Sequence, residues 1–567
     1  MLHLRSTLLA ISLFITHSSL LITATDAVTP DAAWSRNLET PISASPILRD
    51  LDGDGDLEIL ISSLIGQVFL LDHQGDTLSG WPKSTALFQR TSPNVGDING
   101  DGKLDIVVGD NDGKLHAWDL DGVAKDGFPI QLQGSIKSVV RLVDLTGNGA
   151  SELLVHTGAS RLYLLDGAGN DLEGWPIDLG GDQDLFGSWA IASTPTIVDF
   201  DYDGTFEIAV GSTNDQVHVF NLDGTVVDGW PAQTGDWVYP SITAIDLNGD
   251  YELELVAGSG DGKLYAWSAS GDTMPGFPVD IGQAIVASVA SANITGSKLP
   301  ELVVADLSGK VYCYSSEGNL LEGWPQAADS GIVGSPIIVD ANADGALDIL
   351  VPSRDNRVHI WQADGTRIST VELTATDWIE ATPAAGDLDN DGLLELIYAS
   401  YDGLIYRTEL ASPNTQPHTT WASFRGDDSP LIDQSAGDSD RDRLPDQLEY
   451  HTFGTLAHSG NDDNDHDGST NFDEWTAGTD PTSANDRFTV TMTLEVNEYG
   501  TTPGLLWEAH PGRSYQILYT ESLATAEVNW QPIGELIHSS QHERIEWYSN
   551  DYETPDQCFY SIQVQRN

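Results

Sequence analysis

The stretch Asp97-Ile98-Asn99-Gly100-Asp101-Gly102-Lys103-Leu104-Asp105 decides how the rest of the chain is read. Oxygen-bearing side chains stand at its positions 1, 3, 5 and 9: Asp97, Asn99, Asp101 and Asp105. Glycine at positions 4 and 6 lets the backbone curl so that alternate side chains converge. Neither a helix nor a flat strand could bring four oxygens together from nine residues. Calcium takes roughly six to eight oxygens, a backbone carbonyl among them, and Lys103 joins the candidate ligands on that account. Working outward, Ser92–Gly96 and Asp105–Gly109 read as strands, Asn111-Asp112-Gly113 as a tight turn and Lys114–Trp118 as a third strand. Leu120-Asp121-Gly122 turns again, and a short segment leads to Phe128-Pro129. No helical period appears.

The same unit recurs. Acid-rich loops open at Asp50, Asp97, Asp144, Asp199, Asp246, Asn293, Asp340 and Asp387, with spacings of 47, 47, 55, 47, 47, 47 and 47. Gly-Trp-Pro or Gly-Phe-Pro recurs at Trp81, Phe128, Trp175, Trp230, Phe277 and Trp324, and Trp34 starts the series. A unit of this length, with three clear strands and one weak one, matches a propeller blade, which cannot bury its faces alone. The expected fold is all-β, an eight-bladed propeller over residues 34–425. It has seven blades if the degenerate sixth unit is not a separate one. Trp421-Ala422-Ser423-Phe424 follows the last unit and is placed to help close the ring. By strand parity, the acidic loops are expected on one face, and the Gly-Trp-Pro connections and Asn-Asp-Gly turns on the other.

The candidate ligands of the first loop are Asp50, Asp52, Asp54 and Glu58, with Asp56 beside them. Equally well formed are Asp199, Asp201, Asp203, Glu207, then Asp340, Asn342, Asp344, Asp348, and Asp387, Asp389, Asp391, Glu395. Asp246, Asn248, Asp250, Glu254 has Tyr251 where glycine is preferred. Asp144, Thr146, Asn148, Glu152 is short of charge, and Asn293, Thr295, Ser297, Glu301 keeps one carboxylate and is expected to have lost its ion.

These loops, in a repeating blade, resemble the FG-GAP (VCBS) repeats of the integrin alpha-chain propeller and of secreted bacterial relatives. The resemblance covers about residues 34–425 and implies a calcium-binding propeller; it is far less specific for biological role. The turns of the type Asp112-Gly113-Lys114-Leu115-His116-Ala117-Trp118 also resemble quinoprotein propeller repeats, but no adjacent-cysteine signature or other cofactor motif accompanies them.

Past the repeats, Asp438, Asp440, Asp442, Asp446 and Glu449 stand at positions 1, 3, 5, 9 and 12 of a loop, and Asp463, Asp465, Asp467, Asn471 and Glu474 repeat the pattern. Glutamate at position 12 is EF-hand spacing, and Gly468 stands at position 6, where the first loop has Arg443. Helical turns are expected at Pro445–Phe453 and Phe472–Ala477. Residues 437–485 resemble thrombospondin type 3 repeats and, less closely, a dockerin. Residues 487–567 alternate apolar and polar residues between Pro/Gly turns and read as a β-sandwich of six or seven strands.

Composition bounds the function. The 567 residues hold 25 Lys+Arg against 87 Asp+Glu, a net charge of −62, which disfavours nucleic acid and anionic membrane surfaces. Cys313 and Cys558 are the sole cysteines, so neither a disulfide scaffold nor a cysteine-based zinc site is expected. His3 and Arg5, an apolar run from about Leu8 to Ile22 and small residues after it give residues 1–27 the order of a secretory signal peptide. The run is too short and broken for a membrane span. A secreted or cell-surface, monomeric protein is expected.

No catalytic elbow, zinc helix or phosphate loop appears. His116, His218 and His359 share one column with Phe69, Tyr163, Tyr265, Tyr312 and Tyr406, which assigns them to packing. Phe88, Trp237 and Trp378 form another column, and the one insertion brings Phe186 and Trp189 to the same face. Aromatic rings at a channel mouth can stack on sugars or grip a protein loop. The expectation is a non-enzymatic calcium protein that binds a glycan or protein ligand. The alternative is a carbohydrate-active propeller enzyme such as a polysaccharide lyase.

Overall fold

The computed structural model describes residues 33–87, 90–181, 193–199, 206–250, 252–297, 299–369, 371 and 373–413, then 458–459, 461–466, 469–477, 479, 481–483, 488, 490–497, 500–509, 513–520, 531–539, 543–548 and 559–566. Within the first group lie eight four-stranded antiparallel sheets, each a blade. Blade 1 is typical: an inner strand Ile47–Arg49, then Glu58–Ser62, Gln67–Leu71 and a two-residue outer strand Lys83–Ser84. The second strand is buried along its whole length, because both faces of a blade are covered by neighbours. One apolar cluster accordingly joins Leu60, Leu70 and Trp81 of blade 1 to Val95, Ile106 and Trp118 of blade 2. The sixth unit is a complete blade, with strands Ala290–Ala292, Glu301–Ala305, Lys310–Tyr314 and Gln326–Ala327. The propeller therefore has eight blades.

The ring closes through its N-terminal strand. Trp34–Asn37 pairs with Leu404–Pro413 as the outer strand of blade 8, with Trp34 opposite Arg407. Trp421–Phe424, read as a closing segment, lies outside the described residues. A second closure runs around the central channel. Ser45, Ser92, Val139, Thr194, Ser241, Ser288, Ser335 and Thr382 occupy one repeat position and line it. The backbone N–H of Ser241 donates to Ser288 Oγ (3.0 Å), Ser288 to Ser335 Oγ (3.0 Å), Ser335 to Thr382 Oγ1 (2.8 Å) and Thr382 to Ser45 Oγ (3.1 Å). Val139 donates likewise to Thr194 Oγ1 (3.1 Å).

The expected distribution of connections between faces needs one correction. The Gly-Trp-Pro segments join third to outer strands, so two chain reversals bring them back to the face of the acidic loops. His73, in that connection of blade 1, lies 3.0 Å from Asp56 of the acidic loop. There they clasp blades together: the indole N–H groups of Trp81, Trp175, Trp230 and Trp324 donate to Leu120, Leu222, Ala269 and Ala363 carbonyls of the next blade at 2.8–2.9 Å. Gly80, at φ 93°, packs so close to the Asp121 carbonyl that a Cβ has no room. The Asn-Asp-Gly-type turns do lie on the opposite face.

Beyond the ring, a helix at Asn471–Ala477 occupies the place of the second expected helical turn; the first lies outside the described residues. Its Trp475 belongs to the apolar cluster of Trp230, Tyr265 and Trp267, with Phe472 packed alongside, so the helix docks on the propeller. Two three-stranded sheets follow. Leu505, Trp507 and Ile545 of one share a core with Tyr515, Ile517 and Ile562 of the other, as in a small sandwich. Among the described residues no helix is long and apolar enough to cross a membrane.

Candidate metal-binding loops and the opposite channel mouth

Six of the acidic loops, those of blades 1, 2, 3, 5, 7 and 8, are wound around their first aspartate. Asp97 Oδ1 accepts from the Gly100 and Asp101 N–H groups (2.8 and 3.2 Å) and Oδ2 from Gly102 (2.7 Å). Asp50 holds Gly53 and Gly55, Asp144 holds Asn148 and Gly149, Asp246 holds Gly249, Asp340 holds Gly345, and Asp387 holds Asp391 and Gly392. Later carboxylates and amides repeat the device one step on: Asp54 caps Asp56, Asp101 caps Lys103, and Asn342 caps Asp344. The winding draws Asp50, Asp52 and Glu58 together, and likewise Asp387, Asp389 and Glu395, with ligand oxygens within 4.8 Å of one another.

Position 9 is the chemical centre of every loop. Glu58, Asp105, Glu152, Glu207, Glu254, Glu301, Asp348 and Glu395 are all buried. One oxygen of the acid takes the N–H of the residue at position 2: Leu51 to Glu58 (2.8 Å), Leu145 to Glu152 (2.7 Å), Leu247 to Glu254 (2.7 Å), Ile294 to Glu301 (2.7 Å), Ala341 to Asp348 (3.0 Å) and Leu388 to Glu395 (2.6 Å). Burial pushes Glu58 and Asp348 up to about 7 and Glu254 up to about 9 against their backbone hydrogen bonds, and Glu395 up to about 7 against its backbone hydrogen bond and the Arg407 guanidinium beside it. A buried acid so raised calls for a positive charge beside it if it is to stay ionised.

The second oxygen is treated differently from blade to blade. In blade 3 it accepts from Thr146 Oγ1 (3.0 Å), and in blade 6 from Thr295 Oγ1 (2.6 Å) and Ser297 Oγ (3.0 Å). In blade 5 Asn248 Nδ2 donates to Glu254 Oε1 (3.0 Å). In blade 2 Lys125 Nζ lies 2.8 Å from Asp105 Oδ1, and in blade 8 Arg407 Nη2 lies 3.2 Å from Glu395 Oε1 and 2.6 Å from Asp389 Oδ2. In blade 7 Asp348 Oδ1 is buried with no partner. This donor set is hard, oxygen-only and anionic, and it fits calcium. In blade 4, Asp199 and Glu207 are buried while Asp201 and Asp203 lie outside the described residues.

Of the candidates beyond the ring, Asp438, Asp440, Asp442, Asp446, Glu449 and Asp467 lie outside the described residues. Asn471 and Glu474 are buried at the start of the helix, and Asp463 and Asp465 precede it. Asn471 Nδ2 donates to the Ser459 carbonyl (3.0 Å), and its Oδ1 accepts from the Asn464 N–H (3.2 Å).

The ring column packs as its sequence suggested and also caps turns. His116, Tyr265, His359 and Tyr406 each reach a turn carboxylate, of Asp110, Asp261, Asp355 and Asp402, at 2.7–2.8 Å. His116, His218 and His359 stack on Trp118, Phe220 and Trp361. At the channel mouth on the turn face, Glu380 is surrounded. Arg90 Nη1 is 3.1 Å and Tyr401 OH 2.7 Å from its Oε2, and Arg354 Nε is 2.7 Å from its Oε1. Trp378 stands over this group, 44% exposed, edge-on to Tyr401, with the Arg354 guanidinium 5.2 Å from its ring centre. Trp237 is half-buried against Tyr239 instead. Phe88, Phe186 and Trp189 lie outside the described residues. Sequence reasoning did not pick out Arg90, Arg354, Glu380 or Tyr401, which no single repeat column contains.

Comparison with known proteins bears on the repeats and the fold. The FG-GAP-like repeat family matches residues 50–108, 97–155 and 340–398, so the chain carries FG-GAP-like repeats. Among solved structures, Sqt1 of Saccharomyces cerevisiae is 11% identical, with a TM-score of 0.50 over 67% of this chain and 98% of its own. BamB from Moraxella catarrhalis is 17% identical, with a TM-score of 0.46 over 66% of this chain and 98% of its own. At such identity the likeness to Sqt1 is one of fold and nothing further. No curated protein matches the chain.

Proposed function

We propose that this chain is a secreted, non-enzymatic propeller that binds a glycan or protein ligand on the face opposite its acidic loops, with calcium holding the loops in shape. A repeat propeller of this kind fits a ligand-binding or adhesion-like role. The observation that carries the proposal is Trp378. It is the one exposed aromatic ring among the large exposed apolar residues described, and it sits beside a charged mouth. A flat exposed indole next to guanidinium and phenol groups suits stacking on a sugar ring or an aromatic side chain. Calcium is supported by the unpartnered, fully buried Asp348 Oδ1 and by the convergence of Asp50, Asp52 and Glu58. The acidic segment after the ring is proposed to hold further calcium, and residues 1–27 to direct export.

The test is a glycan and protein-ligand array with wild type and Trp378→Ala, in calcium and in chelator. The proposal expects binding that Trp378→Ala abolishes and that chelator weakens through loop stability. The lyase alternative predicts unsaturated product from acidic polysaccharide. Tyr401 does not favour it, since burial and the neighbouring Glu380 push its hydroxyl up to about 12, away from a base. Steady product release would replace the binding reading.

A further inference from the structure

Two repeat columns break in an informative way. The column containing Arg407 is otherwise Leu70, Ala117, Leu164, Val219, Ala266, Cys313 and Ile360, all buried core residues. The column containing Lys125 is otherwise Leu78, Leu172, Val227, Met274, Leu321 and Ile368, which pack against the inter-blade clusters. A cation in a core column is expensive unless it is paired where it lies. Both are paired, and with the same partner: the buried acid at position 9 of their own blade's loop. Lys125 Nζ is 2.8 Å from Asp105, and Arg407 Nη2 is 3.2 Å from Glu395 and 2.6 Å from Asp389. The Arg407 side chain is only 6% exposed.

We infer that Arg407 and Lys125 are resident counter-ions, so that the loops of blades 2 and 8 are neutralised by the chain itself and hold no calcium. The inference rests on the reading that the other well-formed loops take calcium. In blade 8 the guanidinium lies among two of the three carboxylates that converge there, so an incoming divalent ion would meet a fixed positive charge and lose two ligands. Displacing the carboxylates from Arg407 would leave its charge unpaired in a core column. Blade 8 is also the blade completed by the N-terminal strand, with Trp34 opposite Arg407. Ring closure is thereby independent of metal, while blades 1 and 7 respond to it.

The experiment is bound calcium per chain by elemental analysis of desalted, calcium-loaded protein, with melting in calcium and in EGTA. Asp52→Asn is expected to lose one ion, whereas Asp389→Asn and Asp101→Asn lose none. Arg407→Leu and Lys125→Leu, which restore the column residue, are each expected to gain one. Loss of an ion in Asp389→Asn, or an unchanged count in a folded Arg407→Leu, overturns the inference. A wild type without calcium sinks the calcium reading separately, and a gained ion in Arg407→Leu still supports this one. Asp389→Asn leaves the core intact, so the test survives if the arginine variant fails to fold.

Discussion

Blades 6 and 7 stand side by side and each buries a carboxylate at the same loop position, yet they treat its second oxygen in opposite ways. Glu301 of blade 6 takes the Ile294 N–H on one oxygen and the hydroxyls of Thr295 and Ser297 on the other. Asp348 of blade 7 takes the Ala341 N–H on one oxygen and leaves the other bare in the core. Neutral donors suffice where the loop has few other acids. Where Asp340 and Asp344 crowd the same loop, their field adds to burial in raising Asp348, and the proposed remedy is a bound calcium ion. Degeneration of a repeat is therefore a change of neutralising group as much as a loss of function.

The comparison can be broken most forcefully at Asp348. In calcium, Asp348→Asn is expected to destabilise the protein by about 3 kcal/mol, since it removes a ligand from a buried ion. In EGTA the sign should reverse, because the amide relieves an unpartnered buried charge; denaturant unfolding in both buffers reads this directly. Thr295→Val attacks the other solution. It takes a hydroxyl from a buried carboxylate and should cost about 2 kcal/mol, equally with and without chelator.

The hydroxyl belt sharpens the contrast because it joins these two blades through Ser288 N–H and Ser335 Oγ. Ser335→Ala leaves that buried donor unsatisfied and should cost about 1 kcal/mol, again independent of calcium. The effect that is smallest near neutral pH sets the acid background. Burial lowers His218 from 6.5 to about 4, so the unfolded chain takes its proton first as pH falls. That contribution is fully present above 6.5 and is lost between 6.5 and 4. Subtracting the stability of His218→Phe from that of wild type should show a deficit under about 1 kcal/mol at pH 6, growing toward pH 4.

Much of the fold was legible because the unit length hardly varies, so columns align without gaps outside the one insertion. Trp34 even marks the closure: it stands one repeat before Trp81, at an outer-strand position, and so belongs to blade 8. The Gly-Trp-Pro segments were assigned to the wrong face because the short outer strand adds a reversal that is easily miscounted. The position-9 acids were legible as ligands, but their burial was not, since exposure of a loop end depends on the neighbouring blade. Arg407 and Lys125 stand as charges in apolar columns of the sequence, but their pairing with Glu395 and Asp105 depends on how each loop winds back onto its blade. The mouth around Glu380 was out of reach, because Arg90 reaches it from the other end of the repeat series, 290 residues away.

The most direct measurement is a crystal grown in calcium with the ion located by its anomalous signal. A peak is expected held by Asp340, Asn342, Asp344 and Asp348 in blade 7, and none among Asn293, Thr295, Ser297 and Glu301 in blade 6. Metal in both loops, or a calcium-soaked blade 7 without it, would contradict the claim that the neutralising group decides which blades carry an ion.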